Sequence, residues 1–509
     1  MQLENVIPYL GSFFILAPIF SANAEDLSKN AIERLGNHIT YATEFQSVVS
    51  SDYSPLWLNA NRYGASSVRG NNGSLRVNFS KDAGNYTDKK WRIGFGFDLI
   101  TAYNFTNSIT LQQCYLDCDY KRMRLSIGSK ERPMAIKNQQ LSSGGQTLGI
   151  NARPIPEMRI ELPEYISLTG KSNWIGFKGH FGYGLMTDGS WQEDYVRPTD
   201  HYVKGAIYHS KAGYIRLGNE AKFPLVFEAG LEMACEFGGT VYNANHREGA
   251  VVDKIKMGAG IKDFFKAIFG GGSDPTDDIF KNSAGNTVGS WLFALSYKGP
   301  NWKVKAYYDH YFEDHSMMFG QYGWLDGMYG VEFTLPRNRW VNTMVYEFLN
   351  TTYQSGPIYH DGNETLPEQI SGKDNYYNHN LYQGWQHWGQ AIGNPLFFSP
   401  LYKSDHSLDF SGNRFKAHHV GISGNPTTAL SYRVLFSYMK NWGTYAAPYS
   451  DIKRSASLLT EINCKLPDNT KFLSKGWSVA AAFAIDRGSA LSKNTGGMIT
   501  IRKTGLLTH

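Results

Sequence analysis

The sequence predicts an all-β protein, a transmembrane outer-membrane β-barrel of about 18 antiparallel strands with short helices at the barrel mouth. Segments in which apolar and polar residues alternate recur along most of the chain, separated by turn residues. After Ala24 no apolar run is long enough for a transmembrane helix. The chain is rich in Tyr (32), Phe (29) and Gly (52), as expected of barrels that carry aromatic girdles and tight turns.

The N-terminus has the features of an export signal. The apolar segment Leu10 to Phe20 precedes the small-residue pattern ANA at 22–24. This order predicts a secretory signal peptide over residues 1–24.

Residues 25–55 do not alternate clearly. Ala31, Ile32 and Leu35 have helical spacing, so we expect a helical or irregular N-terminal segment there. The barrel is then predicted over residues 56–509.

The pair of segments from residue 113 to residue 127 illustrates the strand pattern. Cys114, Leu116, Cys118 and Tyr120 fall on one face, and polar residues with one Tyr fall on the other. After the turn at residues 121–122 the apolar face resumes. This predicts a hairpin with one face in lipid or core and one in water.

The same pattern recurs along the chain. It is found at 75–80, 91–105, 148–162 with a break at Pro154–Pro156, 175–181, 201–218, 223–238, 290–299, 302–309, 328–336, 339–353, 415–426, 428–445, 456–467, 476–488 and 496–505. With the broken segment taken as two strands, the total is about 18, which favours a large barrel over a sandwich.

Two segments interrupt the alternation. In the insertion at 246–289, Ile261, Phe264, Phe265 and Ile268 fall on one side of a short helix. A helix packed against the barrel mouth is the favoured interpretation, and a membrane-surface helix is the alternative. The second interruption, at 354–414, is too long for a turn and is predicted to be a functional loop rich in aromatic residues.

Within that loop, residues 375–398 read NYYNHNLYQGWQHWGQAIGNPLFF. Aromatic rings interleaved with amides suit a sugar, whose C–H faces stack on rings while its hydroxyls need hydrogen-bond partners. The candidate polysaccharide-binding residues are Tyr376, Tyr377, Tyr382, Trp385, His387 and Trp388. The alternative is an ordered loop held in place by its own rings.

A second candidate contact lies in SKERPMAIKNQQ at 129–140. Lys130 and Arg132 are candidates for binding an acidic glycan. Alternatively, they belong to an ion-pair cluster where the wall bends, followed by a polar loop folded into the lumen. On the polar faces of the predicted strands, basic residues outnumber acidic ones, which indicates a mild preference for anionic solutes. Most of these charges are expected to form ion pairs that brace the barrel wall.

Several motifs, taken in order, carry a family resemblance: WLNANRYG (57–64), IGSKERPMAIKNQQLSSGGQTLGINARPIP (127–156), WQEDYVRPTDHYVKGAIYHSKAGY (191–214), EAGLEMACEFGGT (228–240) and IRKTG (501–505). Together they resemble the Wzi capsule-assembly family, in the form of a Bacteroidetes-type member, from about Pro55 onward. The resemblance implies an 18-stranded outer-membrane barrel with helices at its periplasmic side. The implied role is a lectin that binds capsular polysaccharide and helps assemble or retain the capsule, without catalysis.

Other function classes find little support. The net charge of +5 is spread without a basic run, so no nucleic-acid partner is expected. The four cysteines have no metal-ligand spacing, and neither a metal nor a cofactor is predicted. The expected partners are capsular or other surface polysaccharide, outer-membrane lipid and capsule-export components, with the barrel itself a monomer.

Two alternative functions stay open. One is an outer-membrane porin for anionic solutes. The other is an outer-membrane hydrolase using His209 with Ser210, or His418 with His419. The hydrolase is disfavoured because no G-x-S-x-G motif occurs and because adjacent histidines on a strand point to opposite faces.

Overall fold

The computed structural model describes residues 38–84, 90–245, 251–268, 285–313, 318, 324–360, 364–367, 372–468 and 475–507. The predicted signal peptide and the predicted helical residues 31–35 lie outside these ranges. Eighteen strands form one sheet. They are β1 Thr40–Ser50, β2 Asn72–Lys81, β3 Trp91–Tyr103, β4 Ile109–Tyr120, β5 Met123–Ser129, β6 Glu157–Ser167, β7 Ile175–Leu185, β8 Ile207–Leu217, β9 Leu225–Phe237, β10 Asn286–Lys298, β11 Lys303–Glu313, β12 Gly327–Thr334, β13 Thr343–Asn350, β14 Phe415–Gly424, β15 Leu430–Gly443, β16 Pro448–Lys465, β17 Trp477–Gly488 and β18 Asn494–Leu506.

The sheet closes on itself. Each strand is antiparallel to the next, and β1 pairs with both β2 and β18, in register from Thr40 opposite Leu506 to Ser50 opposite Gly496. Closure pairs the backbone groups that an open edge would leave free. The predicted barrel and its strand number are confirmed.

One strand was not predicted and one predicted strand does not form, so the predicted number of strands is unchanged. Thr40–Ser50 is a strand, although we expected a helical or irregular segment up to residue 55. Its alternation is weak because the inward face carries the apolar Val48 beside the polar Gln46, both buried. Conversely, residues 148–153 form no strand. They lie inside the barrel, where Leu148 and Ala152 pack in the hydrophobic cluster.

The strand faces are arranged as in a membrane barrel. In β4 the apolar Leu116 is exposed on the outside, whereas Asp117 and Asp119 are buried on the lumen side. The same outward exposure of large apolar residues recurs around the wall, as in Leu75, Ile93, Ile160, Ile215, Val331, Tyr346, Phe436, Phe483 and Ile499. This apolar belt faces lipid and places the barrel in an outer membrane.

The described helices are few and short. The α-helices are α1 Leu56–Asn59, α2 Gly189–Tyr195 and α3 Ile261–Ile268, and 3-10 turns cover Gly170–Ser172 and Pro400–Tyr402. None of the helices in the described ranges is both long and apolar enough to cross a membrane. A small sheet of Tyr202–Lys204, Thr240–Asn245 and Val251–Lys256 accompanies them, as does a hairpin of Gln386–His387 with Gln390–Ala391.

The two ends of the barrel differ. At the end that holds Thr40 and Leu506 the strands are joined by short connections, such as 121–122 and 299–302. The opposite end, here called the long-loop mouth, carries the connections 51–71, 130–156, 186–206, 238–285 and 351–414. Outer-membrane barrels have short periplasmic turns and longer external loops, so the long-loop mouth is assigned to the outside.

The family resemblance implied helices at the periplasmic side. The described helices α1, α2 and α3 belong to connections at the long-loop mouth, and the predicted N-terminal helix lies outside the described residues. Helix α3 packs Phe264 and Ala267 against Tyr183, Ile207 and Phe237, at the mouth end of the wall.

Segments from three long connections fold back into the lumen. We call the segments 56–60, 134–153 and 376–397 the plug. Their side chains join those of the wall in one hydrophobic cluster, within which Trp57, Trp385 and Phe397 are fully buried. The plug therefore fills part of the barrel lumen with a packed hydrophobic core.

Candidate functional site

The plug contains most of the aromatic stretch at residues 375–398. Tyr376, Tyr377, Tyr382, Trp385 and His387 are all buried. The ring of Tyr377 stacks on that of Phe397 with 3.9 Å between centroids. The stretch therefore packs as a core.

Each polar tip of these rings already has a partner. The indole Nε1 of Trp385 donates to the carbonyl oxygen of Thr147 at 2.9 Å. The hydroxyl of Tyr376 donates to Asp326 at 3.1 Å, and that of Tyr382 donates to the carbonyl oxygen of Gly238 at 3.0 Å. Rings with both faces packed and the tip bonded cannot stack on a polymer. The expected sugar-binding surface is therefore absent at these residues, and the alternative of a loop held by its own rings describes them.

Buried charges hold the plug to the wall. Glu347 of β13 accepts hydrogen bonds from the hydroxyl of Ser142 at 2.5 Å, the backbone N–H of Ser143 at 2.7 Å and the hydroxyl of Tyr307 at 2.5 Å. Lys137 forms a buried salt bridge with Asp309 of β11. Charges buried with partners in this way fix the position of the plug, and removing one partner is costly.

The candidates Lys130 and Arg132 belong to an ion-pair cluster. Lys130 pairs with Asp117 at 2.5 Å, and Arg132 pairs with Glu157 at 2.9 Å and Glu161 at 3.2 Å. Both basic residues border a lumen cavity of about 380 Å³. These ion pairs favour the alternative interpretation, a bracing cluster followed by a loop folded into the lumen, and glycan binding by Lys130 and Arg132 stays a prediction. Buried acids on the lumen side, such as Glu157, Glu161 and Glu347, offset the basic residues of the lumen faces.

A second cavity, here called the mouth cavity, opens among the long loops. Its volume is about 310 Å³, and its lining includes Trp191, Tyr195 and Trp388. The Trp191 ring stacks on Tyr195 at 4.8 Å and lies 5.9 Å from Trp388, measured between centroids. His406 lies 4.9 Å from the Tyr195 ring. All three rings keep part of their surface accessible, unlike those of the plug.

Local structure explains how these rings meet. Trp191 and Tyr195 are four residues apart on α2, so they share one face of the helix. Trp388 lies in the turn of the 386–391 hairpin with a left-handed backbone, φ 55°. Asp188, the residue before α2, accepts hydrogen bonds from the N–H of Trp388 at 3.0 Å and from the side chain of Gln386 at 3.2 Å. The carboxylate of Asp188 thus fastens the hairpin to the helix.

Arg153 is the charged group of the mouth cavity. Its guanidinium lies 4.4 Å from the centroid of the Trp388 ring. The residue is only 9% exposed, and its Nε has no hydrogen-bond partner. Burial lowers the pKa of Arg153 to about 10, partly offset by Asp188. Arg153 forms no ion pair among the described residues. Its guanidinium can therefore bind an anion that enters the cavity.

His387 links the cavity to the plug. Its Nδ1 lies 2.8 Å from the carbonyl oxygen of Arg153, and its Nε2 lies 3.0 Å from the hydroxyl of Thr187. Burial lowers the pKa of His387, while Asp188 acts in the opposite direction. The ring therefore bridges the backbone of Arg153 and the Thr187 side of the cavity.

Of the predicted binding residues, only His387 and Trp388 line the mouth cavity, and of these only Trp388 offers accessible ring surface. Trp191, Tyr195 and Arg153 also line the cavity and were not predicted as site residues. The spacing of Trp191 and Tyr195 in WQEDY was a usable signal, because residues four apart share a helix face. Nothing in the sequence indicated that Arg153 would be buried without a partner.

The residues considered for hydrolysis do not converge. The ring of His209 stacks on Tyr183 at 4.4 Å, whereas Ser210 donates to the lumen residue Glu157 at 3.1 Å. His418 is exposed, and His419 is buried and bonded to the plug. The predicted opposite orientation of the adjacent histidines His418 and His419 is confirmed.

Comparisons with known proteins support the fold. No protein-family model and no curated protein match the chain. Among solved structures, it is similar to Wzi of Escherichia coli, described as a carbohydrate-binding β-barrel involved in group 1 capsule assembly: 12% identity, 94% of this chain and 87% of that one covered, TM-score 0.53. Matches to OccK3 (9% identity, 94% and 98% covered, TM-score 0.46) and OprD (8%, 93% and 96%, 0.45) of Pseudomonas aeruginosa are weaker. At such identities the likeness to Wzi establishes the barrel fold alone.

Proposed function

We propose that this protein is an outer-membrane lectin of the Wzi type, which binds capsular or other surface polysaccharide and helps retain it on the cell. The observation that carries the proposal is the mouth cavity, where accessible rings of Trp191, Tyr195 and Trp388 surround a cavity open at the long-loop mouth. The family resemblance of the sequence motifs supports the same function.

The chemistry of the cavity suits a sugar chain. Flat rings stack on the C–H faces of pyranoses. Nucleic-acid bases that stack on aromatic side chains contribute about 1–3 kcal/mol each to binding, and we take this as the scale for one sugar contact. Arg153 adds a buried cation that can pair with a sugar carboxylate. The proposed ligand is therefore an acidic polysaccharide.

Weak sites are sufficient for such a ligand. A repeating polymer engages many barrels at once, so avidity strengthens retention without tight single contacts. This role needs neither a nucleophile nor a metal.

The test is capsule retention by a double variant, Trp191→Ala with Trp388→Ala. We expect normal amounts of folded protein in the membrane and polysaccharide released into the medium. The matched control is Trp340→Ala, which removes an exposed Trp from the short-turn end. If the double variant and the parent retained equal amounts of polysaccharide at equal protein levels, the proposal would be wrong.

The porin alternative makes the opposite prediction for ion flow. Because the plug is buried and tied to the wall through Glu347 and Asp309, we expect little conductance from the parent in planar bilayers. Large, steady pores in the parent would favour a porin for anionic solutes.

A further inference from the structure

The outer wall carries a row of basic residues near the long-loop mouth. Lys416, Lys440 and Arg454 lie on the adjacent strands β14, β15 and β16, and the strand register places them directly side by side. All three are exposed. We call them the basic row.

The basic row faces away from the lumen. Along β15, Lys440 shares its face with Phe436, an exposed residue of the apolar belt, whereas Ser437 and Met439 on the other face are buried. The neighbours His418 and Val420 of β14 alternate in the same way with buried Ala417 and His419. The three basic side chains therefore project toward the membrane.

The basic row lies at the upper edge of the apolar belt. From Tyr432 to Lys440, β15 covers about the length that a tilted strand needs to cross the hydrocarbon region. Lys440 belongs to the end of that span nearer the long-loop mouth. This is the level of lipid headgroups in the outer leaflet.

The arrangement is unfavourable without an anion. Neighbouring strands are separated by about 4.8 Å, and like charges directly opposite one another destabilise a sheet. None of the three forms a salt bridge within the described ranges, and their side chains donate no hydrogen bond there. On the next strand, Arg487 is by contrast occupied by carbonyl oxygens of Asp486 and Asn494.

We propose that the basic row binds the phosphate of an anionic lipid in the outer leaflet. The lipid's acyl chains would lie along belt residues on the same two strands and nearer the middle of the membrane. Examples are Phe436, on the strand of Lys440, and Leu458, on the strand of Arg454. Continuity with the lipid belt and the three unpaired cations favour a membrane lipid over a soluble anion. The site is on the outside of the wall and is independent of the mouth cavity.

The first test is lipid selection by the full-length barrel. The protein in detergent is given equal amounts of phosphatidylglycerol and phosphatidylcholine, and native mass spectrometry counts the lipids retained. The parent should retain the anionic lipid preferentially. Replacement of all three residues by Gln should reduce that preference by about fivefold per charge.

The control removes the same number of charges elsewhere. Lys121, Lys171 and Lys222 are exposed in turns at the opposite end, and their replacement by Gln should preserve the preference. An equal loss in both triple variants would show an effect of overall charge and overturn the proposal. Retention of a second copy of the chain in place of lipid would also overturn it.

A second readout uses the sign of a stability change. In nanodiscs of phosphatidylcholine alone, Lys440→Gln should raise the unfolding temperature, because it relieves repulsion within the row. In nanodiscs that also contain phosphatidylglycerol, the same variant should lower it, because a lipid contact is lost. A change of the same sign in both membranes would contradict lipid binding at this site.

Discussion

The plug and the mouth cavity are built from the same kinds of residue and have opposite uses. Trp385 and Trp388 are three residues apart, yet Trp385 is sealed inside the barrel and bonded to Thr147, whereas Trp388 borders an open cavity. The difference is made by the surroundings of each ring. A stretch rich in rings and amides does not by itself identify a sugar site, since a long loop can fold back and use the same residues as a core.

The largest expected effect comes from emptying the plug. Trp385→Ala should lower the free energy of unfolding by about 3–5 kcal/mol, because it leaves a cavity and an unpaired carbonyl oxygen. We also expect conductance to appear in planar bilayers as the plug loosens. Heat-modified gel migration and bilayer recording measure the two effects.

Trp340→Ala is the matched control for this variant. It removes an exposed ring and should change neither stability nor conductance. If Trp385→Ala behaved like Trp340→Ala, the contrast between plug and surface would be wrong.

The next effect concerns the polar attachment of the plug. Glu347→Gln keeps the shape but replaces one acceptor oxygen by a donor amide that faces Ser142, Ser143 and Tyr307. The hydroxyls of Ser142 and Tyr307 can rotate to accept from the amide, but charge-assisted hydrogen bonds become neutral ones, so the variant should lose about 1–2 kcal/mol of stability. Chemical unfolding of the barrel measures it, and an unchanged midpoint would mean that the plug is held by packing alone.

A smaller and more selective effect is expected in the mouth cavity. Arg153→Met keeps apolar contact with Trp388 but removes the charge, so binding of an acidic polysaccharide should fall by roughly tenfold, the factor for about 1.4 kcal/mol. Binding of the same polymer after its carboxylates are reduced to alcohols should be nearly equal for parent and variant. Isothermal titration with both polymers separates the charge from the rings, and an equal loss for both would assign Arg153 a packing role.

The smallest expected effect is the response to acid. The pKa of His387 is lowered in the folded protein, so the unfolded chain binds a proton more readily. Stability is therefore fully present above the ordinary histidine pKa and declines as the pH falls through that value toward the lower folded one. His387→Gln should weaken this decline between pH 7 and pH 5 in thermal unfolding, and an unaltered decline would mean that other groups cause it.

The sequence was informative where one property followed a simple period. Alternation identified the outward belt at Leu116 and Phe436, because lipid on one side and a polar lumen on the other impose period two. It failed at Thr40–Ser50 and at 148–153, where the plug makes the lumen side apolar and removes the contrast. The mouth cavity could not be predicted in full, since α2, the 386–391 hairpin and Arg153 meet only through the fold.

We propose that surface polysaccharide binds in the mouth cavity and does not contact the buried aromatic residues of the plug. Ser404 is exposed and lines the cavity, whereas Asn338 is exposed at the opposite end. The variants Ser404→Cys and Asn338→Cys are treated with a membrane-impermeant maleimide on intact cells, with the parent as the measure of native cysteine labelling. We expect the Ser404→Cys variant to react on cells without capsule and to be protected on encapsulated cells, whereas the Asn338→Cys variant should react only after permeabilisation. Labelling of position 404 only after permeabilisation, or equally with and without capsule, would contradict it.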